Sequence, residues 1–243
     1  MKNFMLAQYY DWSFDPKGWF MSEKLNGHRA VFNKHFIKRG NTIVTPPSWF
    51  MKDFPDVTLD GEIYAGRGNL RLVQSLGPRE LDWKNIVFAV FDAPEYQGPF
   101  KTRYSYISNL LKNRQYILTV PHVICEGKDD LQERLDAVID IKGEGLMLRH
   151  PDSLYEHKRS NKLLKVKKWY YDTAVIIGHL EKNRPGMIGS FLCRDDNGYE
   201  FKVTGLNDAL ASNPYPIGTR LEYRYYEKNK GKPKPATLFR VIN

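Results

Sequence analysis

The chemistry in this chain gathers first around Ser22-Glu23-Lys24-Leu25-Asn26-Gly27-His28-Arg29. Lys24 ends an apolar run, Trp19-Phe20-Met21, and a glycine and an arginine follow it within five residues. A lysine on a tight turn backed by an apolar wall is a candidate covalent nucleophile, provided it sheds its proton. From an ordinary pKa of about 10.4 that costs roughly 4–5 kcal/mol at neutral pH, and desolvation or neighbouring cations lower the cost. Gly27 is expected to supply the turn through backbone angles closed to other residues. Taken alone, the stretch reads rather as a surface Lys-Arg pair beside a turn, and the later chain decides between the two.

Two further stretches carry charge in a spaced pattern. In Val57-Thr58-Leu59-Asp60-Gly61-Glu62-Ile63-Tyr64 side chains alternate, so Asp60, Glu62 and Tyr64 share one strand face and Leu59 and Ile63 the other. Such a carboxylate pair suits a metal or a ribose, or else an exposed polar face. Downstream, cations cluster at Lys158, Arg159, Lys162, Lys165, Lys167 and Lys168. A strand through Leu164-Lys165-Val166-Lys167 would point Lys165 and Lys167 the same way, about 7 Å apart. Like charges so held call for an anion between them, and phosphate is the obvious one; a solvated basic face is the alternative.

Elements must bring these stretches together. Short strands are expected at Ala30–Phe32, Phe36–Arg39 and Thr42–Val44, with a Gly40-Asn41 turn. The nearly continuous apolar run Asn85–Phe91 reads as a central buried strand with Asp92 opening onto a pocket. Helical spacing follows at Ile107, Leu110 and Leu111, then at Leu131, Leu135, Val138 and Ile139, the second helix capped by Asp129-Asp130 and stopped at Gly143. Strand character returns at Glu144–Arg149. Past Tyr171 the texture changes to five short strands: 173–178, 189–194, 199–203, 220–226 and 238–242. With an Asp196-Asn197-Gly198 hairpin turn and a helical stretch at 206–211, they fit a small OB-type barrel. Lys228 to Lys234 reads as a flexible basic segment suited to a phosphate backbone.

Composition sets the partner class. In 243 residues, 37 basic against 28 acidic side chains give a net charge of +9, which favours a polyanion, nucleic acid ahead of a membrane. Cys125 and Cys193 lie far apart and the six histidines are scattered, so no zinc site is expected. The N-terminus lacks the apolar core of a signal peptide, and no stretch reads as a membrane span.

These pieces, in this order, resemble the covalent nucleotidyltransferases, and among them the minimal ATP-dependent DNA ligases of the compact two-domain bacterial type. Lys24-Leu-Asn-Gly-His-Arg29 resembles the nucleophile motif, Leu59-Asp-Gly-Glu62-Ile the third motif and Val90-Phe91-Asp92 the strand ending at adenine. Glu144-Gly-Leu-Met-Leu-Arg149 resembles the fourth and Leu164-Lys165-Val-Lys167 the fifth. The resemblance covers nearly the whole chain. It implies an α+β architecture: a nucleotidyltransferase domain of antiparallel sheets and helices over 1–171, then an OB-fold β-barrel over 172–243.

It also implies the chemistry. Lys24 attacks the α-phosphate of ATP to give lysyl-AMP, AMP passes to the 5′-phosphate of a nick in duplex DNA, and the 3′-hydroxyl displaces it. Phe91 would stack on adenine, Arg29 and Glu62 would hold the ribose or nick, and Lys165 and Lys167 would grip the α-phosphate. Glu62 and Glu144 would place Mg²⁺ or Mn²⁺. Arg39 and Arg159, with Lys228, Lys230 and Lys232, would face DNA phosphates. Clustered cations and metal would favour the neutral amine of Lys24. A monomer acting in DNA repair or replication is expected, cytoplasmic or viral, or periplasmic if a leader was trimmed. ATP is expected over NAD, since no N-terminal domain to read nicotinamide is seen. Two departures stand out. Asn26 takes a position usually held by aspartate, and the C-terminal basic motif has no clear match, with Arg240 or the Lys228–Lys234 stretch as stand-ins. The rival readings are an RNA ligase or capping-type enzyme, and a non-catalytic OB-containing nucleic-acid binder with a decayed site.

Overall fold

The computed structural model describes residues 4–38, 43–76, 80–181 and 186–242. The chain divides into two compact units, Met1–Lys167 and Lys168–Asn243. The division falls four residues before the expected one at Tyr171, because Tyr170 already begins the first strand of the second unit. Among the described residues no helix is long and apolar enough to cross a membrane.

The first unit runs β1 (Leu6–Tyr9), β2 (Phe20–Glu23), β3 (His28–Asn33), β4 (His35–Lys38), β5 (Ile43–Val44), α1 (Ser48–Met51), β6 (Leu59–Tyr64) and α2 (Leu70–Gln74). It continues with β7 (Val87–Asp92), α3 (Phe100–Leu110), β8 (Ile117–Thr119), β9 (Val123–Ile124), α4 (Lys128–Asp140), β10 (Leu146–Arg149) and β11 (Arg159–Val166). The expected central strands and both long helices are present. The strands β1, β2, β8 and β9 were not anticipated, being too short to show a period of their own. The Gly40-Asn41 turn and Arg39 lie outside the described residues.

These strands make two sheets. One has the order β1-β11-β10-β2-β9, antiparallel except for the parallel β1–β11 pair; the other has the order β5-β4-β3-β6-β7-β8, antiparallel except for β7–β8. Two ends of α4 differ from the sequence reading. Its N-cap is Gly127, and Asp130 instead reaches back to accept the Glu126 N–H. At its C-terminus the left-handed residue is Lys142, not Gly143. Gly143 is required for space, since a Cβ there would lie 2.4 Å from a Val138 methyl.

The cores follow from alternation. On the first sheet Met21, Leu146, Leu148, Leu164 and Val166 are buried with Leu131 and Leu135 of α4. On the second, Ala30, Phe32, Leu59, Ile63, Phe88 and Val90 pack with Ile107 and Leu111 at α3 and with Phe50 and Trp83. In both sheets the other face is left for chemistry.

The second unit is a closed barrel of β12 (Tyr170–Glu181), β13 (Ile188–Asp195), β14 (Glu200–Thr204), β15 (Arg220–Tyr225) and β18 (Ala236–Val241), in the order β12-β13-β14-β18-β15. A short α5 (Asp208–Ser212) sits where the helical stretch was expected, capped by the Asn207 side chain accepting from the Leu210 N–H. The Lys228–Lys234 segment is not a flexible tail. It is the hairpin β16 (Glu227–Asn229) and β17 (Lys232–Lys234), turned by Lys230 and Gly231 at φ +48° and +82°. Its tip is seated on Tyr199, whose ring a Cβ at Gly231 would meet at 2.3 Å.

Candidate active site

A cavity of about 500 Å³ in the first unit is lined by both sheets. The strand register explains its floor. Ser22, Met147 and Lys165 stand side by side on β2, β10 and β11, and Phe20, Arg149 and Leu163 form the next row on the same face. The intervening row, Met21-Leu148-Leu164, points into the core against α4. Lys165 is paired in turn with Tyr9 of β1, and its Nζ lies 3.7 Å from the Tyr9 ring centroid.

Lys24 follows β2 directly, and its N–H donates to Gly145 O at 2.9 Å, extending the β2–β10 ladder to the turn. Its Nζ reaches Glu144 Oε2 at 2.5 Å, while Lys167 Nζ takes Oε1 of the same carboxylate at 2.8 Å. Glu144 therefore stands between Lys24 and Lys167, a carboxylate beside the amine that the expected cluster of cations did not include. Burial works against Glu144's charge, but Lys24 and Lys167 prevail and hold its carboxyl below the usual range. Gly145 makes the approach feasible: its φ is +140°, and a Cβ there would lie 2.3 Å from the Val166 carbonyl oxygen. Strand β11 ends at Val166, so Lys167 lies just past it and bends to Glu144, whereas Lys165 lines the cavity. Burial, then the neighbouring Lys167 and Lys24, push the Lys165 ammonium's pKa down.

Opposite, Gly27 lets β3 and β6 close together. Its φ is not left-handed, contrary to the sequence reading; a Cβ there would lie 2.2 Å from Ile63 O, and its N–H donates to Glu62 Oε1 at 3.1 Å. Arg29, beside Glu62 in the register, binds Asp60 with two parallel bonds, Nε to Oδ1 at 3.0 Å and Nη2 to Oδ2 at 2.6 Å. Phe91 owes its position to a bulge. The β6–β7 register steps from Gly61–Val90 to Asp60–Asp92, leaving Phe91 as the extra residue. Phe91 lines the cavity, its ring 5.3 Å from the Arg29 guanidinium carbon. Asp92 does not open onto the pocket as expected. It is fully buried and paired with Arg103 Nε at 2.6 Å and with Arg149.

Residues to which the sequence reading gave no role complete the wall: His122, Met147, Arg149 and Glu23, the last held by Arg67 through two bonds of 2.8 and 2.6 Å. His122 Nδ1 lies 2.8 Å from the Val120 carbonyl, so that nitrogen carries the proton. Arg159 lines the cavity and donates to the Ala7 carbonyl. Asn26 is exposed beside it. In the second unit, Lys228 is engaged by Asp172 at 2.9 Å and Arg240 by Glu222 at 2.6 Å, while Lys230 and Lys232 stand exposed on the hairpin.

Two groups of the wall titrate against each other. Burial pushes Glu62 from 4.5 up to about 7, in spite of Lys24 and Arg29, and burial pushes His122 from 6.5 down to about 4. Glu62's contribution to stability is full below pH 4.5 and is lost as pH rises through 7. That of His122 is full above pH 6.5 and is lost as pH falls toward 4. Their slopes oppose one another between pH 4.5 and 6.5. Glu62→Gln leaves only the histidine, so its stability is expected to fall with acidification by about 1 kcal/mol per pH unit relative to wild type. Urea unfolding with a chelator present, at several pH values in that window, checks this; parallel curves for the two proteins would refute it.

The hard oxygen donors here suit a divalent cation. Among the described residues no group of three or more His, Cys, Asp or Glu side chains forms a ligand set. Mg²⁺ asks for less, one or two carboxylates with water and phosphate completing its shell. Glu62, whose charge burial leaves undercompensated, and Glu144 are the two carboxylates that could supply them.

A family model described as an ATP dependent DNA ligase domain matches residues 5–167, and one described as a DNA ligase OB-like domain matches residues 182–241. A DNA ligase of Haemophilus influenzae is 32% identical over 233 residues, covering 92% of this chain and 87% of the relative. Among solved structures, one from a structure-function analysis of Lig E DNA ligases, on DNA binding with a minimal scaffold, superposes with a TM-score of 0.80 at 29% identity over 100% of both chains. The Chlorella virus DNA ligase-adenylate shares the fold, with a TM-score of 0.58 at 19% identity over 100% of both chains.

Proposed function

We propose that this chain, which belongs to the ATP-dependent DNA ligases, joins DNA through a lysyl-AMP intermediate with Lys24 as the nucleophile, and that the cavity around it serves all three steps. The observation that carries this reading is the convergence of Lys24, Arg29, Glu62, Phe91 and Lys165 on one cavity, with Glu144 joined to Lys24 and Lys167 joined to Glu144. Phe91 and Met147 offer apolar walls for adenine, and Arg29 and Glu62 meet the ribose or the nick. Lys165 and Lys167 meet the α-phosphate, where their charge offsets the negative charge that builds at phosphorus.

In the first step the Lys24 amine forms a P–N bond as the α-phosphorus releases pyrophosphate. The amine must first leave Glu144 and give up a proton. In the second, the 5′-phosphate oxygen of a nick displaces Lys24, and in the third the 3′-hydroxyl displaces AMP. Glu62 and Glu144 would hold a divalent cation, Mg²⁺ or Mn²⁺, which supplies further charge neutralisation at the phosphates. Arg159 at the cavity, and Lys230 and Lys232 on the hairpin, present cations to a phosphate backbone. Lys228, paired with Asp172, contributes less directly. Neither the RNA ligase or capping reading nor the non-catalytic reading is favoured, since the matched family and relative are DNA ligases.

Incubation with radiolabelled ATP or GTP and Mg²⁺, followed by a chase with nicked DNA, tests the proposal. Label from ATP that moves to the nick is expected. Label from GTP alone, or none from either, would overturn it.

A further inference from the structure

Arg29 is held in a closed ring of contacts that draws on four distant parts of the chain. Its Nε and Nη2 donate to the two oxygens of Asp60, and its Nη1 donates to Met5 O at 2.7 Å. Asp60 is wholly buried and accepts a third bond at Oδ2, from the Tyr155 hydroxyl at 2.6 Å. The Met5 N–H donates to that same hydroxyl at 3.4 Å, which completes the ring. The Phe4 and Phe91 rings lie 5.0 and 5.3 Å from the guanidinium carbon. Three of the five guanidinium donors are thereby committed, and two are left for the cavity that Arg29 lines.

Tyr155 itself does not line the cavity. It sits in the connection between β10 and β11, far in sequence from both Asp60 and Arg29. We infer that Tyr155 is a positioning residue for Arg29: its hydroxyl fixes the plane of the Asp60 carboxylate, which in turn fixes the guanidinium. The inference rests on the reading of Arg29 as a group that meets the ribose or the nick. A buried carboxylate with two bonds from one guanidinium can still swing about its own χ angles. A third bond from a different segment, at 2.6 Å, removes that freedom. The same hydroxyl ties Met5, and so the approach to β1, to the ring. Placing substrate groups to within a fraction of an ångström then depends on one phenol.

Tyr155→Phe keeps the ring and its contacts with His157 and Arg103 and removes only the hydroxyl. Single-turnover rates of self-adenylation and of sealing a pre-adenylated nick are compared for wild type, Tyr155→Phe, Arg29→Ala and the double variant, with unfolding midpoints measured alongside. Tyr155→Phe is expected to slow the step that Arg29→Ala slows, by about tenfold or more. In the Arg29→Ala background the same change is expected to do nothing further, because the group it serves is gone. An equal loss in both backgrounds overturns the inference, as does a lowered midpoint with wild-type rates, which would mark the hydroxyl as structural. A wild type that takes no AMP from ATP overturns the reading of the cavity itself, and is seen before any variant is compared.

Discussion

Lys24→Ala is expected to take up no AMP from ATP, while folding normally and still sealing a nick that already carries AMP. The side chain is at the edge of a cavity with its Nζ on Glu144, so its loss leaves no hole in the core. The first step needs an amine that can form a P–N bond, and the third does not, since the activated phosphate is already on the DNA. Lys24→Arg should fail in the same way, because a guanidinium does not deprotonate in a protein. Lys165 and Lys167 do not substitute: one lies against Tyr9 and the other on the far oxygen of Glu144. Gel autoradiography with labelled ATP, beside a sealing assay on pre-adenylated nicked DNA, measures both halves. Label on the alanine variant at the wild-type level would remove Lys24 from the mechanism.

Asp92→Asn is expected to cost about 3–5 kcal/mol of stability, a large share of what a domain of this size possesses. Arg103 is fully buried and Arg149 nearly so, and Asp92 is the carboxylate that both contact. Burial alone would raise the Asp92 pKa, yet Arg149 and Arg103 hold it below the usual range. Without its charge, two buried guanidinium groups lose the carboxylate they share. Other bonds stay, Arg103 to the carbonyls of Gly98 and Ser153 among them, which is why partial folding is expected rather than none. Glu200→Gln, which breaks the exposed pair with Arg194, serves as the comparison and should cost at most about 1 kcal/mol. Equilibrium urea unfolding of the two variants decides it; equal losses would mean that the Asp92 cluster is worth no more than a surface pair.

Much of the frame was legible in the chain because it is written locally. The apolar run before Asp92, the helical spacing of Leu131 and Leu135, and the five barrel strands each depend on neighbours a few residues away. Periodicity reports such features. The lysine motif and the Leu59–Ile63 motif were recognisable for the same reason, as short strings of residue types. The shared direction of Lys165 and Lys167 was not, because β11 ends at Val166 and Lys167 turns to Glu144.

What the chain alone left open was every relation between distant segments. That Glu144 would stand between Lys24 and Lys167 depends on β10 lying between β2 and β11. Gly27 looked like a turn glycine, but β6 approaches so closely that the requirement is space, not angle. Asp92 looked like a pocket residue, but one unpaired residue in β7 puts Phe91 on the cavity and sends Asp92 to two arginines. His122 and Tyr155 carried no signal, since each matters only through a carbonyl, a carboxylate or a wall supplied from elsewhere. Local propensity is set by a residue and its near neighbours. Electrostatic and steric partners across tens of residues are chosen when the sheets assemble, and in this protein that choice makes the site.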